Sequence, residues 1–340
     1  MIKSGKDIIF ASKLIKEGKL VAFPTETVYG LGANGLDAKA VARIFEAKKR
    51  PSFDPLILHI ASIDDLETVF KKPISPLIFQ LAEKYWPGPL TIVATKVAKI
   101  PEIVTAGLNT VAVRIPSHKA ALKLIKRSGV PIAAPSANLF GHLSPTKASH
   151  VKEQLTTIDY LIDGGSTNIG LESTIVTVNG DSIEILRPGA ITTEQLKTDF
   201  PNIKILNSNT EEHIQAPGQL KSHYSPRKPL YLYDQMPEEL PDYAALLLFE
   251  PATIPKEAKS KVILLSSTGD LLEAASNMFN ALHDLEADDS IEQIYAVKVK
   301  EEGIGMAIMD RINKAAYRFT HFVDENGMEK GENIPKEQPA

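Results

Sequence analysis

The stretch Phe23-Pro24-Thr25-Glu26-Thr27-Val28-Tyr29-Gly30-Leu31-Gly32, taken with Lys48-Lys49-Arg50-Pro51 sixteen residues further on, decides the fold. The apolar strand Leu20 to Phe23 runs into a hydroxyl-rich turn. Apolar positions from Ala38 to Ala47 then recur with helical spacing and deliver three consecutive cations to a proline that the helix cannot pass. Strand, polar turn and helix in this order open an α/β unit, and such a turn and cation set suit a small polar substrate beside a polyphosphate.

Working outward, the same periodicity predicts a helix near Ile8 to Glu17 and a buried strand at Leu56 to Ile60. Helices follow at Pro76 to Tyr85 and Lys119 to Arg127. Strands follow at Thr91 to Thr95, Val111 to Ile115, Ile132 to Ala134, Tyr160 to Ile162, Thr174 to Val178 and Ile183 to Leu186. The expected architecture is an α/β or α+β domain over 1–205 with a large, twisted mixed sheet. Residues 206–229 lose periodicity and read as a linker, yet Pro217-Gly218 to Pro226 include His223 and Tyr224, which a bare tether does not need. Strands and helices then alternate from Leu230 to Phe319, predicting a smaller Rossmann-like α/β domain over 230–323. A polar tail occupies 324–340.

Composition narrows the function. The 340 residues are 43% hydrophobic and 24% charged, as in globular proteins, and contain no cysteine. Disulfides, zinc ribbons and thiol nucleophiles are thereby excluded. The N-terminus has no apolar run of signal-peptide length and no segment approaches a membrane span, so a soluble cytoplasmic protein is expected, with no membrane partner. A net charge of −4 conceals an asymmetry: residues 1–205 carry 25 Lys and Arg against 19 Asp and Glu, and the remainder is acidic. The front half suits anions, but its surplus is small for a dedicated nucleic-acid binder.

Two motifs mislead. Gly30-Leu31-Gly32-Ala33-Asn34-Gly35 spells the dinucleotide fingerprint, but Thr25 to Tyr29 intervene after the strand and the helix starts only near Asp37. These glycines are expected to serve a tight turn with positive φ. Ser144-Pro145-Thr146-Lys147 matches a serine-nucleophile motif whose companion motifs are missing, so its hydroxyls read as helix caps. No sequence signature of a protein-ligated metal or a Walker loop is present.

The remaining constellations sit at strand and helix ends. Lys48, Lys49 and Arg50 either face the negative end of a helix dipole or clamp phosphate, with Asp54 and His59 nearby. Arg114 ends an apolar strand, where a guanidinium needs an anionic partner or a route to water. Ala134-Pro135-Ser136-Ala137-Asn138 brings small residues and hydrogen-bonding groups to the end of another strand. Leu171-Glu172-Ser173-Thr174 and Leu186-Arg187-Pro188-Gly189 repeat the pattern. Such groups, without an acid pair or an activated nucleophile, suit positioning and charge neutralisation rather than covalent catalysis.

These stretches, with Trp86-Pro87-Gly88-Pro89-Leu90-Thr91 and Val113-Arg114-Ile115-Pro116, appear in the order found in two-domain threonylcarbamoyl-AMP synthases, whose N-terminal domain is YrdC-like, and the chain resembles that family. The resemblance spans about two hundred residues in front and the linker behind. It implies a nucleotidyltransferase that condenses L-threonine, bicarbonate and ATP, with Mg²⁺ carried on ATP, into threonylcarbamoyl-AMP and pyrophosphate. The product would pass to a threonylcarbamoyl transferase complex that makes N6-threonylcarbamoyladenosine in tRNA, which this chain meets only indirectly. It also implies a threonine site of Thr27, His59, Arg114, the Ala134 backbone and Ser173. Around ATP it implies Lys48, Arg50, Asp54, Thr110, Ser136, Asn138, Ser144, Arg187 and Tyr224, with Lys48 and Arg50 acting on the leaving pyrophosphate and no protein-ligated metal. Asp54 stands where the family often has Asn; an acid there either weakens phosphate contact or binds magnesium. An RNA-binding maturation factor is one alternative, favoured by the basic front half. Adenylation of another carbamate is the second, although such hydrogenase-maturation proteins carry cysteine-rich modules that this chain lacks.

Overall fold

The structure is a computed structural model that describes residues 2–208, 215–237, 239–253 and 261–320. The expected tail and residues 209–214 of the linker lie outside them. The first domain comprises β1 (Ser4–Gly5), α1 (Ile8–Lys16), β2 (Val21–Phe23), β3 (Gly30–Asn34), α2 (Ala38–Lys48), β4 (Ile57–His59), α3 (Pro76–Tyr85), β5 (Leu90–Thr95), α4 (Glu102–Thr105) and β6 (Thr110–Arg114). It continues with α5 (Lys119–Ser128), β7 (Ile132–Ala133), α6 (Ala148–Gln154), β8 (Tyr160–Ile162), β9 (Thr174–Asn179), β10 (Ser182–Arg187), α7 (Thr193–Asp199) and β11 (Lys204–Asn207). Its strands form one mixed sheet in the order β1-β8-β2-β3-β7-β4-β6-β5-β9-β10-β11. Alternation along β4 and β6 sends Leu58, Val111 and Val113 into the main core and leaves Ile57, His59, Ala112 and Arg114 on the opposite face.

The helices begin and end where local chemistry directs. Asp37 accepts from the Lys39 and Ala40 amides to cap α2. Lys49, left-handed with φ 51°, ends that helix, so Lys48 and Arg50 turn inward while Lys49 stays exposed.

One expectation fails instructively. Gly30 and Gly32 do not form a positive-φ turn; they belong to β3, which returns antiparallel beside β2. A side chain at Gly32 would place its Cβ 2.7 Å from Phe23 Cε1 and 2.8 Å from Ile132 Cγ2. The glycine admits neighbouring side chains rather than an unusual φ.

In the second domain β12 (Leu230–Tyr233), β13 (Ala244–Leu248), β14 (Lys261–Leu264) and β15 (Gln293–Val297) form a wholly parallel sheet, in the order β12-β15-β13-β14. β13 is the unbroken apolar run Ala-Ala-Leu-Leu-Leu, as a strand covered on both faces requires. Helices α8 (Leu271–Ala287) and α9 (Ile304–Thr320) pack into its core, and Val28, Leu143 and Leu171 of the first domain join the same apolar cluster. Among the described residues no helix is long and apolar enough to cross a membrane.

Candidate active site

The six residues between β2 and β3 fold over the sheet face that carries Ile57 and His59. Thr25 shapes this loop: its hydroxyl lies 2.8 Å from that of Thr27 and donates to the Val28 carbonyl at 2.6 Å. Tyr29 anchors the loop's far end, donating its hydroxyl proton to the Gly165 carbonyl. Beneath the loop Thr27, His59, Arg114, Ala134, Ser136 and Ser173 line one cavity with Arg50, Arg187 and Tyr224.

The anionic partner that Arg114 demands is Glu26. The guanidinium pairs with Glu26 Oε1 at 2.5 Å, donates from Nη1 to Thr27 Oγ1 at 2.9 Å and from Nε to the Gly88 carbonyl at 3.1 Å. The other Glu26 oxygen accepts the Ser117 amide at 3.0 Å. Burial alone would raise the Glu26 pKa, but Arg114 and these hydrogen bonds hold it below its ordinary value. Three of the five guanidinium N–H groups are engaged, leaving two for a ligand. His59 beside them is pushed down to about 3, first by burial and then by Arg114, so its ring is neutral, and its buried Nδ1 has no partner. The Ala134 amide is committed to the Ile57 carbonyl, which leaves only its carbonyl and methyl for a substrate.

Where the resemblance implies ATP, the cations are more deeply engaged than sequence implies. Lys48 does not line the cavity: its ammonium donates to the carbonyls of Ser136 and Asn138, bracing the loop after β7. Burial, then the neighbouring Arg50, lowers its pKa well below the ordinary value. Arg50 does face the cavity. Its Nη2 lies 2.8 Å from Asp54 Oδ2 and donates to the Pro55 carbonyl at 2.9 Å, while Nε donates to the Asp54 carbonyl. Asp54 is fully buried, its pKa raised by burial despite Arg50, and its two carboxylate oxygens accept no hydrogen bond. Arg187 reaches the Ser173 carbonyl from Nη2 at 2.8 Å and the Pro217 carbonyl from Nη1 at 3.1 Å. Ser173 Oγ lies 2.8 Å from Thr91 Oγ1.

Besides Lys48, four expected residues stand outside the cavity lining: Asp54, Asn138, Ser144 and Thr110. Asn138 spends its amide on the Leu139 and His142 carbonyls, and Ser144 donates to Glu172. Thr110 lies on the face of β6 that carries Ala112 and Arg114, two positions before the one and four before the other.

The linker closes the site. Pro217, Gly218, His223 and Tyr224 line the cavity from above, and its volume is only about 50 Å³, room for roughly three or four waters. A nucleotide needs several times that volume. Gly218 has φ +80°, and a Cβ there would lie 2.7 Å from Tyr224 Oη and 3.0 Å from Arg187 Nη1. Burial and the surrounding cations hold His223 neutral. Burial and Glu172 push the Tyr224 hydroxyl up, so it remains protonated.

Sequence reasoning missed Glu26 as the mate of Arg114, Glu172 in the lining, and Arg311 of α9, whose Nε donates to Glu172 at 2.8 Å. Glu26 was discoverable, since a buried strand-end arginine predicts an acid nearby. Arg311 carries no local signal, because its partner is 139 residues away. Among the described residues no cluster of three acidic or histidine side chains could hold a metal.

The family profile described as "Telomere recombination" (Sua5/YciO/YrdC) matches residues 13–189, and that described as "Threonylcarbamoyl-AMP synthase, C-terminal domain" matches 191–317. A Pyrococcus abyssi threonylcarbamoyl-AMP synthase is 42% identical over 327 residues, spanning 92% of this chain and 95% of that one. The chain belongs to the threonylcarbamoyl-AMP synthase family. The Bacillus subtilis synthase is 41% identical over 324 residues, covering 90% of this chain and 92% of its own. The crystal structure of P. abyssi Sua5 complexed with L-threonine superposes with a TM-score of 0.83 at 40% identity, over 93% of this chain and 98% of that one. Both domains of this synthase therefore have counterparts in a single relative.

Proposed function

We propose that this chain condenses L-threonine, bicarbonate and ATP into L-threonylcarbamoyladenylate and pyrophosphate, the first step toward N6-threonylcarbamoyladenosine in tRNA. One observation carries the reading: three buried guanidinium groups, Arg50, Arg114 and Arg187, converge on one cavity whose lining hydroxyls include none bonded to a histidine. Such a site gathers anions and has no activated nucleophile of its own.

Threonine's carboxylate accepts from the two remaining N–H groups of Arg114, with Thr27 beside it. Neutral His59 offers the Nδ1 lone pair to the substrate's N–H or O–H. The threonine amine adds to bicarbonate with loss of water, giving a carbamate. A carbamate oxygen attacks the α-phosphorus of ATP, and the bond to pyrophosphate breaks. Arg50 and Arg187 offset the charge on the leaving group from inside the cavity, and Lys48 supports them through Ser136 and Asn138. Mg²⁺ carried on the nucleotide's phosphates would neutralise part of their charge, with the buried carboxylate of Asp54 standing beside Arg50. Closure by His223 and Tyr224 keeps water from the labile carbamate. The product then passes to a threonylcarbamoyl transferase complex in the cytoplasm, and tRNA is met only there.

Pyrophosphate release from ATP, measured with threonine, bicarbonate and magnesium omitted in turn, tests the reading. Release that needs all three is expected. Release indifferent to threonine or to bicarbonate contradicts it.

A further inference from the structure

We infer that Arg311, on α9 of the second domain, is a positioning residue of the adenylation site, acting through Glu172 and Tyr224. The inference rests on the function proposed above and gives the second domain a part in it.

Arg311 is fully buried, and a guanidinium removed from water must be paired. Its Nε donates to Glu172 Oε2 at 2.8 Å, its Nη1 pairs with Asp310 Oδ2 at 2.5 Å, and its Cζ lies 5.4 Å from the centre of the Tyr224 ring. That separation is within cation–π reach. Glu172 and Tyr224 both line the cavity of the other domain. Glu172 passes the constraint onward, since its second oxygen accepts the Ser144 hydroxyl. Tyr224 needs holding, because its φ of 61° is one an aromatic residue seldom adopts unaided. Two groups on the nucleotide side thus take their positions from one side chain of α9.

The rest of α9 supports the same role. Arg311, Lys314 and Arg318 recur at helical spacing on one face, and the linker lies along it. Lys314 Nζ donates to the Gly218 carbonyl at 2.7 Å, the His223 amide donates to the Lys314 carbonyl at 3.2 Å, and Arg318 donates to the Pro226 carbonyl. Asp310 ties Arg311 to Lys314. Two buried polar atoms beside the cavity, Arg311 Nη2 and Tyr224 Oη, make no hydrogen bond, so the site retains capacity that a nucleotide's polar atoms would meet.

Arg311→Met, Arg311→Lys and the double variant Glu172→Gln/Arg311→Met, each full length, separate positioning from mere stability. In steady-state pyrophosphate release, Arg311→Met should raise the KM for ATP about tenfold or more, as loss of a charged hydrogen bond predicts. The KM for threonine should stay within about twofold under the same reasoning, because Arg114 is untouched. Arg311→Lys should recover part of the loss. The double variant leaves no unpaired charge between these two positions, so it should regain thermal stability while its ATP KM stays raised. If Arg311→Met does not fold, the double variant carries the same readout. A wild-type ATP KM in either variant, or recovery of KM in step with melting temperature in the double variant, overturns the inference. A wild-type enzyme whose pyrophosphate release ignores threonine would instead overturn the proposed function, and that control is read separately.

Discussion

At the scale of single residues, the site is built from charges that arrive already partnered. Arg114 illustrates the consequence. Replacing it with alanine removes the proposed threonine contact but also leaves Glu26 as a buried, unpaired carboxylate, which costs about 3–5 kcal/mol. Arg114→Ala should therefore raise the threonine KM and lower the melting temperature together, whereas Glu26→Ala/Arg114→Ala should recover stability without recovering threonine affinity. Recovery of both would remove Arg114 from the threonine site. Arg50 is partnered mostly by backbone carbonyls and Asp54, and it faces the cavity; Arg50→Ala should lower turnover roughly a hundredfold or more, the scale of a lost electrostatic stabiliser. Near-normal pyrophosphate release by that variant would exclude the role.

At the scale of elements, the linker strap roofs the cavity and the interface between the domains lies beneath it. Gly218→Ala forces a side chain onto both Tyr224 and Arg187 at a positive φ, so it should impair turnover without touching Thr27, His59 or Arg114, the proposed threonine contacts. Normal kinetics in that variant would mean that the strap does not form the roof. Where α6 meets α8, His150 and His283 stack with ring centroids 3.8 Å apart. Burial, then the neighbouring imidazole, pushes His150 down to about 3, and burial lowers His283. A base whose pKa is depressed on folding binds protons first in the unfolded chain, so stability falls as pH drops below about 6.5. Glu172 is held below its ordinary value of 4.5, so its contribution is present above that pH and is lost as pH falls through its lower folded value. Melting temperature should decline from pH 6.5 downward and more steeply below 4.5, with His283→Gln flattening the upper part. A profile that the variant leaves unchanged would refute the histidine contribution.

The same scale shows what sequence could and could not reveal. The helices Ile8–Lys16, Pro76–Tyr85 and Lys119–Ser128 were legible because apolar spacing and caps agree locally. β3 was hidden, since Gly-Leu-Gly-Ala-Asn has low strand propensity and is a strand only because Phe23 and Ile132 fill the room its glycines leave. The short helices at Glu102–Thr105, Ala148–Gln154 and Thr193–Asp199 span too few residues to display a period. In the site, strand-end motifs pointed to Thr27, His59, Arg114, Ser136, Ser173 and Arg187, which do line one cavity. They could not show that Lys48 stands behind its wall, or that Arg311 reaches in from another domain, because both facts depend on tertiary contacts.

At the scale of the whole molecule, the two domains share an apolar cluster, a buried ion pair between Glu172 and Arg311, and a linker that both of them hold. The second domain is therefore tied to the lid of the first domain's cavity, and its own parallel sheet serves as the platform for α8 and α9. The central claim is that this closed, arginine-lined cavity joins a threonine carbamate to the adenylyl group of ATP. Mass spectrometry of the products formed from threonine, ATP and ¹³C-labelled bicarbonate tests it most directly. The account predicts one adduct containing threonine, AMP and the labelled carbon, together with pyrophosphate. Free AMP alone, or a threonine–AMP adduct without the label, would contradict it.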